Sequence, residues 1–379
     1  MPVTGGSMVE RWYAFRDRLL RSAGFQRWAA RFPPTKWIAH RRSRELFDLC
    51  AGFVYSQVLH ACVRLGLFQA LQGGPQTAAE LGARLGLDEA AVDRLARAAV
   101  SLRLLRRARG GRYGLGELGA ALLGNPGVLA MIEHHEMLYA DLQDPVALLR
   151  GDAGPGRLAA YWSYAKASSP RELDDERVAA YSTLMATSQP LIADDILDTV
   201  DLSSRRRLLD VGGGEGAFLA TVAARLPDLQ LTLFDLPPVA ARAQARFAAA
   251  GLGDRATAVG GDFLKDSLPT GADVVSLVRV VHDHDDEAVL GLLRAVRRAL
   301  PPNGLLVVAE PMADTPGAEP IGEAYFGFYL LAMGSGQPRT PAALASLLRQ
   351  AGFGEPRWLR APRPLLTRVL VAQPAPEVL

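Results

Sequence analysis

The chain has 379 residues, 49% of them hydrophobic and 22% charged, which is ordinary for a globular protein with room for two domains. Its 42 basic and 40 acidic residues give a net charge of +2, too small to indicate a nucleic-acid-binding protein from totals alone. Cys50 and Cys62 form no metal-type cluster, no signal peptide is visible, and no uninterrupted apolar run reaches the roughly 18 residues of a membrane span. These features predict buried thiols in a reducing, cytoplasmic compartment.

Residues 1–45 form an N-terminal arm that is basic and rich in aromatic side chains. Helical spacing places Trp12, Phe15 and Leu19 on one stripe, with Arg11 and Arg18 toward the other side. This pattern is typical of an element that lies in a membrane interface. A helical arm that packs on a partner subunit has the same composition, so both interpretations stay open.

Residues 46–170 predict a mainly helical domain with a small hairpin. Thr77 to Glu80 forms a capping box, and Asp88 is placed to cap the next helix. Two short apolar segments around Gly110-Gly111 predict a β-wing, so the pattern indicates a winged-helix module. DNA binding is one function of such a module, but its alanine-rich third helix offers few base-reading side chains, which favours dimerisation. The candidate DNA contacts would be Arg94, Arg97, Arg103, Arg106 and Arg107.

Further along this helical region, His134-His135-Glu136 has residue types that bind metals. Adjacent histidines point to different faces of a helix, and the local sequence offers no further zinc ligands, so no metal is expected.

Residues 171–379 predict a doubly wound α/β domain, because residues 207–235 read as strand, glycine turn, helix and strand. Glycines in the turn, among them Gly212 and Gly214, let a ligand approach the backbone, and Asp235 can accept hydrogen bonds from both ribose hydroxyls. Asp210 beside the turn opposes a pyrophosphate but suits a ligand with an ammonium and a sulfonium group. The turn therefore favours S-adenosylmethionine over a dinucleotide.

Three later strand ends supply the remaining candidates for the site. Asp262 can bond an adenine amino group, and Phe263 can lie against the ring. His282 follows the fourth predicted strand, at the edge where ligands of doubly wound sheets bind, and a neutral imidazole is a suitable general base. Glu310 arrives at the same edge and can hold the imidazole in one tautomer. The alternative for His282 is a structural hydrogen bond at a strand end.

The stretches LLDVGGGEGAF, FDLPPV, GGDF, RVVHDHDDE and VVAEPM resemble the class I S-adenosylmethionine-dependent O-methyltransferases of the caffeate and hydroxyindole type. The arm and the stretches RELFDLCAGFVYSQVLHACVRLGLF and LYADLQDPVALLRG are most similar to the bacterial carotenoid O-methyltransferases of the demethylspheroidene and hydroxyneurosporene type. The resemblance implies a homodimer and a cytoplasmic enzyme, with the arm as a candidate contact with the inner photosynthetic membrane. It also implies that His282 is the proton acceptor and Glu310 its neighbour. The cofactor-binding residues expected from pattern and resemblance together are Asp210, Gly212, Gly214, Asp235, Leu236, Asp262, Phe263 and Arg279.

The sequence departs from the plant members of this family around the base. Pro338 stands where a second glutamate is usual, so the pattern does not predict a second carboxylate beside His282. Met333 stands where an asparagine anchors a phenolic hydroxyl. These changes predict an acceptor with little to hydrogen-bond, such as a long polyene with one hydroxyl, in an apolar pocket. A phenolic polyketide and a bacteriochlorophyll precursor are alternative acceptors. The expected pocket residues are Tyr325, Phe326, Tyr329, Met333 and Met185.

Overall fold

The computed structural model describes residues 8–161, 189, 191–365 and 367–376. The chain divides into two compact units, Met1–Ala121 and Leu122–Leu379. The domain boundary expected at residue 170, and the pocket residue Met185, lie outside the described residues.

The first unit is helical apart from one two-stranded hairpin. Its helices are α1 Met8–Arg21, α2 Ala23–Arg31, α3 Pro33–Arg64, α4 Leu67–Ala70, α5 Ala78–Leu85 and α6 Glu89–Ser101, and its strands are β1 Leu105–Arg107 and β2 Tyr113–Leu115. The hairpin is antiparallel. The capping box is confirmed, because the Thr77 hydroxyl accepts from the Glu80 amide and the Glu80 carboxylate accepts from the Thr77 amide. The Asp88 carboxylate caps α6 by accepting from the Ala91 amide at 2.6 Å. The winged-helix arrangement expected for this part of the chain is therefore present.

Helix α3 bears on the expectation that no segment of the chain is long and apolar enough to span a membrane. Among the described residues, it is the one helix whose length and composition would allow it to cross a membrane. Polar residues such as Ser56 and Gln57 interrupt a continuous apolar run, so a search for such a run misses a stretch whose average hydropathy is high. His60, Cys62 and Val63, near the carboxyl end of α3, are buried within the first unit.

The second unit begins with helices and continues as a seven-stranded sheet with helices on both faces. The helices are α7 Glu117–Leu123 (which crosses the boundary between the units), α8 Pro126–Asp141, α9 Pro145–Arg150, α10 Arg157–Tyr161, α11 191–199, α12 Ala217–Arg225, α13 Pro237–Ala249, α14 Asp286–Ala299, α15 Gly327–Met333 and α16 Pro341–Gln350. The strands are β3 Arg207–Val211, β4 Gln230–Asp235, β5 Ala256–Gly260, β6 Val274–Val278, β7 Leu305–Glu310, β8 Arg357–Leu359 and β9 Arg368–Ala372.

The sheet has the strand order β5-β4-β3-β6-β7-β9-β8. The first five strands in this order run parallel, and β9 pairs antiparallel with both β7 and β8. The direction of chain progression reverses between β3 and β6, and ligands of doubly wound folds bind at the carboxyl ends of the strands beside such a reversal. The predicted doubly wound fold is thus confirmed, and β3, β4, β6 and β7 end at the edge that carries the predicted site.

Two apolar clusters cover the two faces of the sheet. Side chains of α14 and α16 pack on one face, and side chains of α11, α12 and α13 pack on the other. The parallel strands are buried on both faces, so β6 reads VVSLV with every residue buried. This packing fixes the strand ends on which the site stands.

Gly216 gives a direct test of the packing behind the glycine turn. It has a φ of 78°, and a Cβ added there would lie 2.5 Å from the ring of the buried Phe247 on α13. We therefore expect Gly216→Ala to lower the free energy of unfolding by about 2–4 kcal/mol, from overpacking together with left-handed backbone strain. Urea denaturation measures the loss. Gly251→Ala is the matched control, since its φ is 69° but nothing lies within 4 Å of the added Cβ. It should cost only about 1 kcal/mol, and equal losses in the two variants would contradict the packing described.

Candidate active site

The glycine turn after β3 holds an acidic side chain from the neighbouring strand. The Gly214 amide donates to Asp235 Oδ2 at 2.8 Å, and the Leu236 amide donates to Asp235 Oδ1 at 2.7 Å. Gly212 and Gly214 have φ values of 70° and 58°, a conformation that suits glycine. The Asp235 carboxylate is therefore fixed beside the turn, with lone pairs left for a ligand.

Asp210, at the end of β3, is buried beside the same turn. Its Oδ1 accepts from the Ser276 hydroxyl at 2.6 Å, whereas its buried Oδ2 has no hydrogen-bond partner among the described residues. Burial, and secondarily the charge of Asp235, raises the pKa of Asp210 to about 7. Burial likewise raises the pKa of Asp235 to about 6. Two carboxylates in so dry a cleft favour a cationic, hydrogen-bond-donating ligand.

The predicted adenine contacts lie at the next strand end. Asp235 of β4 pairs with Gly260 of β5, two residues before Asp262. The Asp262 carboxylate accepts from the Leu264 amide at 3.0 Å and lies 3.1 Å from Lys265 Nζ. The ring of Phe263 meets that of His284 edge to face at 5.3 Å. The structure thus brings Asp262 and Phe263 to the same sheet edge as the turn.

His282 lies in a short 3₁₀ turn after β6, with Glu310 of β7 against its ring. Nδ1 of His282 bonds Glu310 Oε2, and Glu310 Oε1 accepts from the amides of Val280 and Val281 at 2.8 and 2.7 Å. The chain turns just before these amides at Arg279, whose φ is 58°. Such a conformation is costly for a residue other than glycine and is found where surrounding structure imposes it. Glu310 is therefore held by three donors.

Asp283 supplies a second carboxylate, one that the sequence pattern did not predict. Its Oδ1 lies 3.1 Å from Nε2 of His282, so the imidazole stands between two buried acids. Burial opposes protonation of the imidazole, but the charges of Asp283 and Glu310 outweigh it and raise the pKa of His282. Burial also raises the pKa of Asp283 to about 6, against the opposing effect of His282.

A buried arginine from a distant loop braces this turn. The Arg339 guanidinium donates to the carbonyls of Val281 and His284, both at 2.7 Å, and to the Asp286 carboxylate. The Gln337 amide donates to the His282 carbonyl at 2.9 Å. These bonds fix the backbone on both sides of the imidazole.

An apolar cavity of about 270 Å³ opens on His282 and Asp283. Tyr325, Phe326 and Tyr329 line it as expected, and the Phe326 ring lies 5.8 Å from that of His282. Its other walls are formed mainly by Val128, Met131, Ile132, Leu191, Ile192, Ile321 and Leu365. A larger surface groove of about 1070 Å³ contains none of the predicted site residues.

The structure places two further residues expected at the site. Arg279, just after β6, has a φ of 58° and lines the apolar cavity, and its contact with the cofactor stays a prediction. Met333, expected on the cavity wall, is buried behind it in a cluster with Leu138, Leu158 and Tyr329.

His134 and His135 each bond a tyrosine of the cavity region. His134 Nε2 lies 2.9 Å from the Tyr329 hydroxyl, and His135 Nε2 lies 2.8 Å from the Tyr325 hydroxyl. Burial lowers the pKa of His134 to about 4 and raises that of Tyr325 to about 12, so both groups stay neutral near pH 7. The described residues include no group of three or more side chains that could hold a metal ion.

Two family matches cover most of the chain. Residues 139–354 match the O-methyltransferase domain, and residues 47–125 match the O-methyltransferase dimerisation domain. The chain belongs to the O-methyltransferase family. It is therefore an enzyme, and the dimerisation-domain match supports a homodimer.

Individual relatives extend the match along the chain. Demethylspheroidene O-methyltransferase of Cereibacter sphaeroides is 46% identical over 98% of this chain and 97% of its own length. The protein of the same name from Rhodobacter capsulatus is 42% identical over 90% of this chain and 85% of its own length. Among solved structures, CalO1, a methyltransferase in calicheamicin biosynthesis in its SAH-bound form, superposes with a TM-score of 0.74 at 30% identity, covering 88% of this chain and 98% of that one.

The residues of this O-methyltransferase fit S-adenosylmethionine, the methyl donor of the family. Asp210 Oδ2, to which none of the described residues donates, can receive a hydrogen bond from the donor's ammonium group. Asp235 is fixed where it can accept from ribose hydroxyls. A Cβ at Gly214 would meet no atom of the described residues within 4 Å, so these residues leave space beside the turn.

Gly214 tests this cofactor assignment without an activity measurement. We expect Gly214→Ala to weaken S-adenosylmethionine binding at least about tenfold, because left-handed strain disturbs the amide that holds Asp235 and the methyl enters the space beside the turn. Isothermal titration calorimetry measures the affinity. Gly251→Ala carries the same backbone strain away from the turn and should bind as the wild type does. Unchanged affinity in Gly214→Ala would rule out the turn as the binding site.

Proposed function

We propose that this O-methyltransferase methylates the hydroxyl of an apolar polyene, a hydroxylated carotenoid of the demethylspheroidene type, with His282 as general base. The observation that carries the proposal is the buried imidazole, set between two carboxylates and facing an apolar cavity. The 46% identity with demethylspheroidene O-methyltransferase over nearly the whole chain supports the acceptor class. When bound, S-adenosylmethionine supplies an electrophilic methyl group.

Glu310 keeps the imidazole in one orientation. Two backbone amides occupy Oε1, so Oε2 is left to accept the proton on Nδ1 of His282. This contact leaves Nε2 as the nitrogen that can take a proton from the acceptor, and it stabilises the imidazolium that results. A tertiary alcohol is a poor acid, so proton removal accompanies attack rather than preceding it.

Asp283 controls when Nε2 is available. Oδ1 of Asp283 lies 3.1 Å from Nε2 of His282, and two unprotonated acceptor atoms would repel each other at this distance, so the closed contact favours a proton on one of the two groups. That proton must leave, and Asp283 must turn away, before Nε2 can accept another. The two groups therefore titrate as a coupled pair, and activity rises as the pair loses its proton.

The cavity selects against acceptors with many polar groups. Its lining is mainly aliphatic and aromatic, and a polar group buried there without a partner would cost free energy. Both tyrosine hydroxyls of the lining are already engaged, that of Tyr325 by His135 and that of Tyr329 by His134. The other polar side chains of the lining are Asn125, His135, Arg279, His282 and Asp283. A polyene with one hydroxyl meets both conditions, because its chain is apolar and its oxygen can reach the base.

The acceptor assignment is tested by offering purified enzyme and labelled S-adenosylmethionine to two sets of acceptors, 1-hydroxylated carotenoids in detergent and simple phenols. We expect label in the carotenoids and at most trace label in the phenols, because the lining is mainly aliphatic and aromatic and histidines already engage both of its tyrosine hydroxyls. Label confined to the phenols would refute the carotenoid proposal and favour the aromatic alternatives.

Substitution of the base tests its role. His282→Ala should lower kcat by about a hundredfold to ten-thousandfold, the usual contribution of a positioned general base. Binding of S-adenosylmethionine, measured by calorimetry, should change little, since His282 lies at the acceptor cavity. A variant that keeps kcat within a few-fold of the wild type would exclude His282 as the base.

The pH profile tests the coupled pair. The imidazole accepts a proton only when unprotonated, and its raised pKa predicts that kcat/KM falls with decreasing pH from a point above the reference value of about 6.5. Asp283→Asn removes one of the charges that raise this pKa, so the acid limb should move to lower pH. Asp254→Asn, at an exposed acid in the same unit, is the control and should leave the profile unchanged. An acid limb that stays in place in Asp283→Asn would contradict the pairing.

A further inference from the structure

The described part of the N-terminal arm, residues 8–45, exposes an unusual number of aromatic side chains. Folded proteins usually bury such groups, yet here they face outward on α1, α2 and the first part of α3. The exposed aromatic residues of the arm are Trp12, Tyr13, Phe15, Trp28, Phe32 and Trp37, with exposures between 41% and 63%.

These aromatic side chains form two patches. Trp12 and Phe15, one helical turn apart on α1, have ring centroids 6.0 Å apart. On α2 and just after it, Trp28 stacks on Phe32 at 4.8 Å and contacts Phe25 at 5.7 Å. Each patch is therefore a continuous apolar stripe along one helix face, the pattern of a helix that lies flat in an interface.

Basic side chains flank both stripes. Arg11 and Arg18 lie to one side of the stripe on α1, while Arg27 and Arg31 share the other face of α2. Long arginine side chains beside an apolar stripe can extend to lipid headgroups while the aromatic rings enter the interface.

The charge of the arm is strongly one-sided. Residues 8–45 contain ten of the 42 basic residues and only three of the 40 acidic ones, which leaves 32 basic and 37 acidic residues in the rest of the chain. Asp17 pairs with Arg16, and Glu45 pairs with Arg41 and Arg42, so two of the three acids are engaged by neighbouring arginines. The arm therefore carries a net positive charge, whereas the rest of the chain carries a small net negative charge.

The exposed aromatic patches of the arm could bind a second copy of the arm or another surface. The positive charge argues against a second copy, because two such surfaces would repel each other. The dimerisation-domain match begins at residue 47, after the arm. The exposed apolar residues of α3 from there on, such as Phe47, Leu49 and Phe53, are the better surface for a second copy. The match with CalO1 covers 98% of that protein but 88% of this chain, which is consistent with an added segment here.

We propose that residues 8–45 bind the surface of an anionic phospholipid bilayer, with Trp12, Trp28 and Trp37 in the interfacial layer and the arginines on the headgroups. Helices α1 and α2, of 14 and 9 residues, are too short to cross a bilayer, so they lie in its surface. This binding goes beyond methyl transfer. Membrane binding would let the enzyme collect an apolar acceptor from the bilayer in which that acceptor dissolves. This use rests on the proposed function, but the binding itself does not.

The test is flotation of the purified full-length chain with vesicles of phosphatidylcholine alone or mixed with phosphatidylglycerol. We expect binding to the anionic vesicles, loss of binding at high salt, and a blue shift of tryptophan emission on binding. Replacement of Arg11, Arg18, Arg27 and Arg31 by glutamine should lower the partition coefficient at least about a hundredfold. Replacement of Trp12, Trp28 and Trp37 by serine should remove most of the spectral shift.

The matched control replaces four exposed arginines outside the arm, Arg150, Arg206, Arg294 and Arg298, by glutamine, and it should bind vesicles as the wild type does. Light scattering should give every variant the wild-type molecular mass. Failure of the wild type to bind anionic vesicles, or equal loss in arm and control variants, would overturn the proposal. A monomeric arm variant would assign the surface to a second copy instead. None of these outcomes depends on methyl transfer, so the proposed function is tested separately.

Discussion

The buried contact between the Glu310 carboxylate and the His282 ring is the interaction on which the rest of the site depends. A carboxylate in so dry a place is stable only when donors surround it, and here two backbone amides and an imidazole do so. The amides reach Glu310 because the chain turns at Arg279 with a left-handed φ. Arg339 then fixes the far side of the turn. Glu310 on the sheet, the turn at Arg279 and the contacts of Arg339 together fix the His282 ring. Its Nε2 is then the nitrogen beside Asp283, at the cavity.

Burial and charge oppose each other both at the glycine turn, where the methyl donor is expected, and at the cavity beside His282, where the acceptor is expected. At the glycine turn, Asp210 has a buried oxygen with no hydrogen-bond partner in the described part of the chain, and a cationic methyl donor can supply one. At the cavity, His282, Asp283 and Glu310 are buried, and the charges beside the imidazole act more strongly as a result. Charge is thus concentrated at the strand ends, while most of the remaining wall around the acceptor is aliphatic or aromatic. This division suits transfer from a charged donor to an acceptor with one polar atom.

The parts of the site and fold that could be predicted from the sequence are those with a short local sequence motif. The glycine turn, the strand ends at Asp210, Asp235 and Glu310, and the doubly wound order follow from short motifs and their spacing. The sequence did not predict Asp283 as the second carboxylate at the imidazole, because the orientation of its side chain depends on a 3₁₀ turn. Its position next to His282 in the sequence is the signal that could have indicated it. Arg339 bonds the Val281 carbonyl from 58 residues further along the chain, and His135 bonds Tyr325 across 190 residues. Neither contact has a local signature, and the short antiparallel strands β8 and β9 have little periodicity to recognise.

The central claim is that Nε2 of His282 receives the proton of an acceptor held in the apolar cavity. A crystal structure with S-adenosylhomocysteine and a hydroxylated carotenoid bound together tests it most directly. We expect the acceptor oxygen within hydrogen-bond distance of Nε2, Asp283 turned away from that nitrogen, and Glu310 still bonded to Nδ1. An acceptor oxygen bound elsewhere, with Asp283 still closed on Nε2, would contradict it.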